Sequence, residues 1–174
     1  GSIKMTANET VNAVFASGTI VHLGRKKIGN QATYFIYDTT NAASPQELGS
    51  INTGDDIYAI AVKNGATPYS FIGSENSSKE LQIVNVADPS TMSVVGSVNL
   101  NEELRTVAVS GTLAFGGTEQ NSDQPEFFVF NVSDPAHPSV IGSFEINANV
   151  NKVRVFNNLV FLATASSTAE FITL

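Results

Sequence analysis

"LQIVNVADPSTMSVVGSV", residues 81–98, returns as "FFVFNVSDPAHPSVIGSF", residues 127–144. Each copy runs through an apolar stretch closed by Asn, an Asp-Pro turn, and a second stretch ending in Gly-Ser and an apolar residue. Working outward, Gly49-Ser50-Ile51, Gly96-Ser97-Val98 and Gly142-Ser143-Phe144 lie 47 and 46 residues apart. Asn41, Asp88 and Asp134 share those spacings, each eight residues before its Gly. Ala16, Val62, Val109 and Val155 follow at 46, 47 and 46. Three independent anchors with one period define a repeat.

Within the third unit, "RTVAV" (105–109), "TLAFGG" (112–117), "FFVFNV" (127–132) and "SVIGSFEI" (139–146) are rich in β-branched and aromatic residues and are separated by turn-formers. No stretch carries a sustained 3.6-residue period with caps, so helix is expected to be nearly absent. Four strands in about 46 residues predict an all-β chain of four-stranded antiparallel blades, a β-propeller of about four blades. The whole of 1–174 reads as one domain, with units at about 8–54, 55–101, 102–148 and 149–174, the last completed by 1–7. Residues 1–6 are expected to pair beside Phe171–Leu174 and close the ring, giving a monomer without free sheet edges. The alternative is a segment of a larger propeller.

The third strands, "YFIYD" (34–38), "LQIVN" (81–85) and "FFVFN" (127–131), resemble the five-residue core of the LVIVD repeat, and the Asp-Pro turn and Gly-Ser strand resemble the rest of that unit. The resemblance extends over nearly the whole chain. It departs in the first unit, where "TTNAASPQELGSI" keeps Asn41 and Pro45 without the Asp-Pro pair. It implies a propeller from a family of bacterial and archaeal surface or secreted proteins. It implies no particular activity, since a repeat specifies a fold rather than a chemistry.

Composition narrows the functions. A net charge of −7, with nine scattered cations and a single run at Arg25, Lys26 and Lys27, argues against a nucleic-acid partner. No segment approaches the apolar length of a membrane-spanning helix. The absence of cysteine excludes a disulfide scaffold, a thiolate nucleophile and a Cys-ligated metal site. The chain has no H-E-x-x-H, G-x-S-x-G, Walker or dinucleotide-binding motif, so a non-enzymatic role without a cofactor is expected.

Asp88 and Asp134, each before proline, and Asp38, Asn85 and Asn131, each ending a third strand, read as turn-forming side chains. His22 occupies the position of Phe71, Phe115 and Phe161 in the other units and reads as a packed residue; His137 reads as a solvated turn residue. Glu9, Asp55, Asp56, Glu102 and Glu103 precede the first strands of their units and are expected around one mouth of the channel, where a Ca²⁺ rim is conceivable and a solvated acidic rim is expected. The second-to-third-strand loops differ between units in length and charge while the flanking strands match, which marks them as recognition loops. Arg25, Lys26, Lys27, Glu75, Asn76, Lys79, Glu119 and Asp123 are the partner-binding candidates they supply. The partner expected is a protein or surface polymer outside the cell; the rival role is a structural spacer or assembly subunit of a surface layer or filament.

Overall fold

A computed structural model describes residues 2–3 and 10–174. Among the described residues, fifteen strands follow one another, with a single 3₁₀ turn at Pro89–Thr91. Blade one comprises β1 (Val11–Ser17), β2 (Ile20–Arg25), β3 (Tyr34–Asp38) and β4 (Gln46–Ile51). Blade two comprises β5 (Ile57–Lys63), β6 (Tyr69–Ser74), β7 (Leu81–Asn85) and β8 (Ser93–Val98). Blade three comprises β9 (Thr106–Ser110), β10 (Leu113–Gly117), β11 (Phe127–Asn131) and β12 (Ser139–Phe144). Blade four comprises β13 (Val150–Phe156), β14 (Leu159–Thr164) and β15 (Phe171–Thr173). Each sheet is an antiparallel meander whose strand order follows the sequence. The closing strand expected at residues 1–6 lies outside the described residues, apart from Ser2 and Ile3.

The repeat is reproduced in register. His22, Phe71, Phe115 and Phe161 pair with Phe15, Ala61, Ala108 and Arg154 on one side and with Ile36, Ile83, Val129 and Thr173 on the other. A register shift recurs between Ile36 and Tyr37, Ile83 and Val84, and Val129 and Phe130, next to each Gly-Ser pair. Such a bulge adds twist to the outer strand, as a radially stacked sheet requires.

Both faces of an inner blade are buried, which is why the third strands are almost continuously apolar rather than alternating. Blades one and two meet around Tyr34, Ile36, Ile57, Ile72 and Val84. Blades two and three meet around Phe71, Leu81, Ile83, Leu104 and Phe130. Blades three and four meet around Phe115, Phe127, Val150, Val153 and Leu162. Each such side chain contributes about 1.5–3 kcal/mol on leaving water.

In the first three blades, a glycine near the end of the second strand admits the next blade. A Cβ at Gly24 would lie 2.3 Å from Ile57, at Gly73 2.5 Å from the Leu104 carbonyl oxygen, and at Gly117 2.4 Å from Val150. These three inserted residues are at most 1% exposed. The fourth seam is built differently. Among the described residues no apolar cluster joins blade four to blade one. Val11, which stands where Ile57, Leu104 and Val150 stand in their blades, is 42% exposed, and the glycine position is taken by Ala163.

Candidate functional site

Inner strands begin on the face where second strands end, so the loops at 52–56, 99–105 and 145–149 share that face with those at 26–33, 75–80, 118–126 and 165–170. The Glu75 N–H donates to the Asp56 carbonyl, and the Gln120 N–H donates to the Asn149 side chain across a seam. The acidic rim and the variable loops therefore form one surface, and largely neutralise each other there.

Asp56 is buried, accepts from the Lys27 N–H at 2.7 Å, and has the Lys26 ammonium at 3.9 Å; Asp55 faces the Lys27 ammonium at 3.8 Å. Glu103 and Glu119 both pair with Arg105, and the Arg105 guanidinium lies 4.0 Å from the centroid of the Tyr58 ring. Tyr58 donates to Glu75 at 2.5 Å. Burial and then the Glu75 bond push the Tyr58 phenol well above its usual range, while burial raises Glu103 against the pull of Arg105. Glu102 accepts from the Asn121 amide. Glu9 lies outside the described residues. Among the described residues, no three acidic or histidine side chains are grouped to hold a metal ion.

The partner-binding candidates divide by exposure. Lys26, Lys27, Glu75, Lys79, Glu119 and Asp123 are exposed, and Asn76 is half-buried with its side chain accepting from the Ser78 N–H at 3.1 Å. Arg25 is removed from that surface. It is 2% exposed, donates through Nε to the Ala32 carbonyl and through Nη2 to Gln31, and stacks over Phe35, so it braces the base of its own loop.

The turn carboxylates act locally. Asp88 accepts from the Ser90 N–H and hydroxyl, Asp134 from the Ala136 N–H, and Asn41 from the Ala43 N–H. Asp38, Asn85 and Asn131 do the same one turn earlier, to Thr40, Ala87 and Ser133. His137 pairs with Asp134 at 2.8 Å on the surface, and that bond lowers the Asp134 carboxyl below its usual range. His22 is 4% exposed and hydrogen-bonds through Nδ1 to the Tyr34 hydroxyl at 2.6 Å; burial lowers its pKa to about 4.

Two buried carboxylates are not evident in the sequence reading. Glu80 accepts from the Leu100 N–H, and Glu126 from the N–H groups of Ile146 and Asn147, so each ties the exit of its blade's outer strand to the blade's interior. The signal available was their shared place directly before the third strand, held by Thr33 in blade one.

On the axis of the arrangement, β1, β5, β9 and β13 line a cavity of about 550 Å³. Its walls are mainly Ala, Val and Ile, with Asn12, Tyr58, Lys152 and Arg154 as the polar exceptions. Lys152 occupies the repeat position of Ala13, Ala59 and Thr106, and Arg154 that of Phe15, Ala61 and Ala108. Lys152 is exposed, but partial desolvation beside the wall, and then the neighbouring Arg154, hold its ammonium below the usual lysine range.

These features define an all-β repeat protein of antiparallel blades around a common cavity. The model of the LVIVD repeat matches residues 67–100 and 104–146, which hold β6 to β8 of the second blade and all four strands of the third, consistent with an LVIVD-repeat family. No curated protein matches in sequence. Among solved structures, the chain is similar to the computationally designed Ika4 protein, with a TM-score of 0.70 and 12% identity over 96% of this chain and 91% of that one. It is also similar to a chain of the mitotic checkpoint complex, with a TM-score of 0.69 and 10% identity over 94% of this chain. There it spans 49% of the other chain's length. At these identities the likeness is one of fold alone.

Proposed function

We propose that the chain is a non-enzymatic β-propeller module of a prokaryotic surface or secreted protein, which recognises a protein or surface polymer through its second-to-third-strand loops. The carrying observation is the contrast between blades that keep register residue for residue and loops at 26–33, 75–80 and 118–126 that differ in length and charge on one face. A rigid scaffold with variable loops is the usual arrangement for recognition. The extracellular setting rests on the LVIVD resemblance, and the role needs no cofactor. Among the described residues, no helix is long and apolar enough to cross a membrane.

Chemistry on the loop face favours a partner with mixed charge. The exposed ends of Lys79 and Asp123 can meet a partner without breaking the Lys26–Asp56, Lys27–Asp55 or Arg105–Glu119 pairs. A variant carrying Lys79→Ser and Asp123→Ser should keep the parent's melting temperature and lose retention on an array of envelope proteins and surface glycans. Equal retention of both proteins overturns the reading.

The second reading, an assembly subunit, is favoured by one observation: blade four presents Phe156 and Phe171, 69% and 63% exposed, on the face turned away from blade three. Concentration-dependent sedimentation that disappears when both are changed to Ser would support it.

A further inference from the structure

In three seams the face that receives the next blade is small or apolar: Ala13, Ala59 and Thr106 at one inner position, Phe15, Ala61 and Ala108 two residues on. Blade four replaces both positions with cations, Lys152 and Arg154, and directs them into the central cavity. Neither is ion-paired among the described residues, and the Arg154 guanidinium donates only to the Val153 carbonyl at 3.3 Å. Two adjacent unpaired cations repel each other, an arrangement that an anion between them relieves. Arg105, by contrast, is paired with two carboxylates, Glu103 and Glu119.

We infer that the central cavity is a binding site for a small amphipathic carboxylate, its head held by Lys152 and Arg154 and its apolar body lying against Val14, Ile60, Val107 and Val109. A guanidinium offers two parallel donors to a carboxylate, and the ammonium adds a third donor beside them. The volume of about 550 Å³ is in the range of small-molecule sites. The loop-bearing mouth is acidic, whereas the hairpin turns at the other end, 18–19, 64–68, 111–112 and 157–158, contain no Asp or Glu. This site is separate from the loop surface and does not depend on its role.

Calorimetric titration with sodium octanoate, 1-octanol and sodium sulfate tests the inference on the whole chain and on a Lys152→Gln, Arg154→Gln variant. Both side chains are exposed to the cavity rather than buried in a seam, and matched melting temperatures establish that the variant folds. The wild type should bind octanoate, the variant at least tenfold more weakly, and both should bind 1-octanol equally. Absence of octanoate binding, or equal octanoate affinity in both, overturns the site. Sulfate binding as tightly as octanoate overturns the apolar part of the ligand. A wild-type dimer in sedimentation that the variant loses would also overturn it, since the cations would then serve a second copy.

Discussion

The carbonyl oxygen of Pro89 rests on Gly49, so closely that a Cβ at Gly49 would lie 1.8 Å from it. Pro135 stands over Gly96 in the same way, at 2.2 Å. The repeated Asp-Pro and Gly-Ser elements are therefore two halves of one contact: the turn of each blade seats on the glycine of the blade before. The obstructing atoms are backbone and cannot swing aside. Gly49→Ala and Gly96→Ala should each cost about 1–3 kcal/mol in chemical denaturation. At Gly142 the nearest atom is 3.7 Å away, so Gly142→Ala should be neutral or stabilise by about 0.4–1 kcal/mol through the unfolded chain. Equal losses at all three would show that the glycines serve strand geometry instead of seating turns.

The second-strand aromatics report which seams are packed. Phe115 is 7% exposed and stacks with Phe127 at 6.3 Å inside the third seam, so Phe115→Ala should cost about 3–5 kcal/mol. Phe161, its equivalent in blade four, is half-buried and has Phe171 as its aromatic neighbour at 5.8 Å. Phe161→Ala should cost about 1 kcal/mol, in keeping with partial burial. Similar losses at both positions, measured by urea unfolding, would mean that the fourth seam is closed as tightly as the others in solution.

The blades, their four-strand order and the register of His22, Phe71, Phe115 and Phe161 were legible because periodic side chains report periodic packing. Turn roles for Asp88 and Asp134 were legible for a similar reason, since the hydrogen bonds span two residues. Arg25 was not: its burial depends on Ala32, Gln31 and Phe35 folding back over it, a contact no charge pattern reveals. Pairing of Asp55 and Asp56 with Lys26 and Lys27 likewise crosses a seam between units. Lys152 and Arg154 were passed over in the sequence reading, because only the cavity gives their departure from the repeat a meaning.

His22 should make stability depend on pH in a defined window. Its folded pKa of about 4 lies below the ordinary 6.5, so the unfolded chain takes up the proton first as pH falls. The contribution is fully present above 6.5 and is lost on descending towards 4, by about 2 kcal/mol after allowance for partial solvent screening. His22→Phe places there the residue of the other blades and leaves the Tyr34 hydroxyl its bond to Ser70. The wild-type-minus-variant difference in unfolding free energy should slope between those two pH values and be flat above them. A flat difference throughout would mean that His22 is already protonated or solvated in the fold.

The acidic rim yields the last expectation, because its carboxylates already have partners. Calcium needs about six to eight oxygens converging at 2.3–2.6 Å. Here Asp56 is committed to the Lys27 N–H, Asp55 to the Lys27 ammonium, and Glu103 with Glu119 to Arg105. Binding calcium would release those cations and leave Arg105 over the Tyr58 ring without its counter-charges. Millimolar calcium should therefore leave the melting temperature unchanged in the wild type, since a ligand stabilises only in proportion to its affinity for the folded state. Arg105→Gln should do two things at once: lower stability by about 1–2 kcal/mol through the loss of charge-assisted bonds, and free Glu103 and Glu119 for a cation. A calcium-dependent rise in melting temperature in the variant alone fits this account. A rise of several degrees in the wild type would show instead that the rim carboxylates leave Lys27 and Arg105 to converge on the ion.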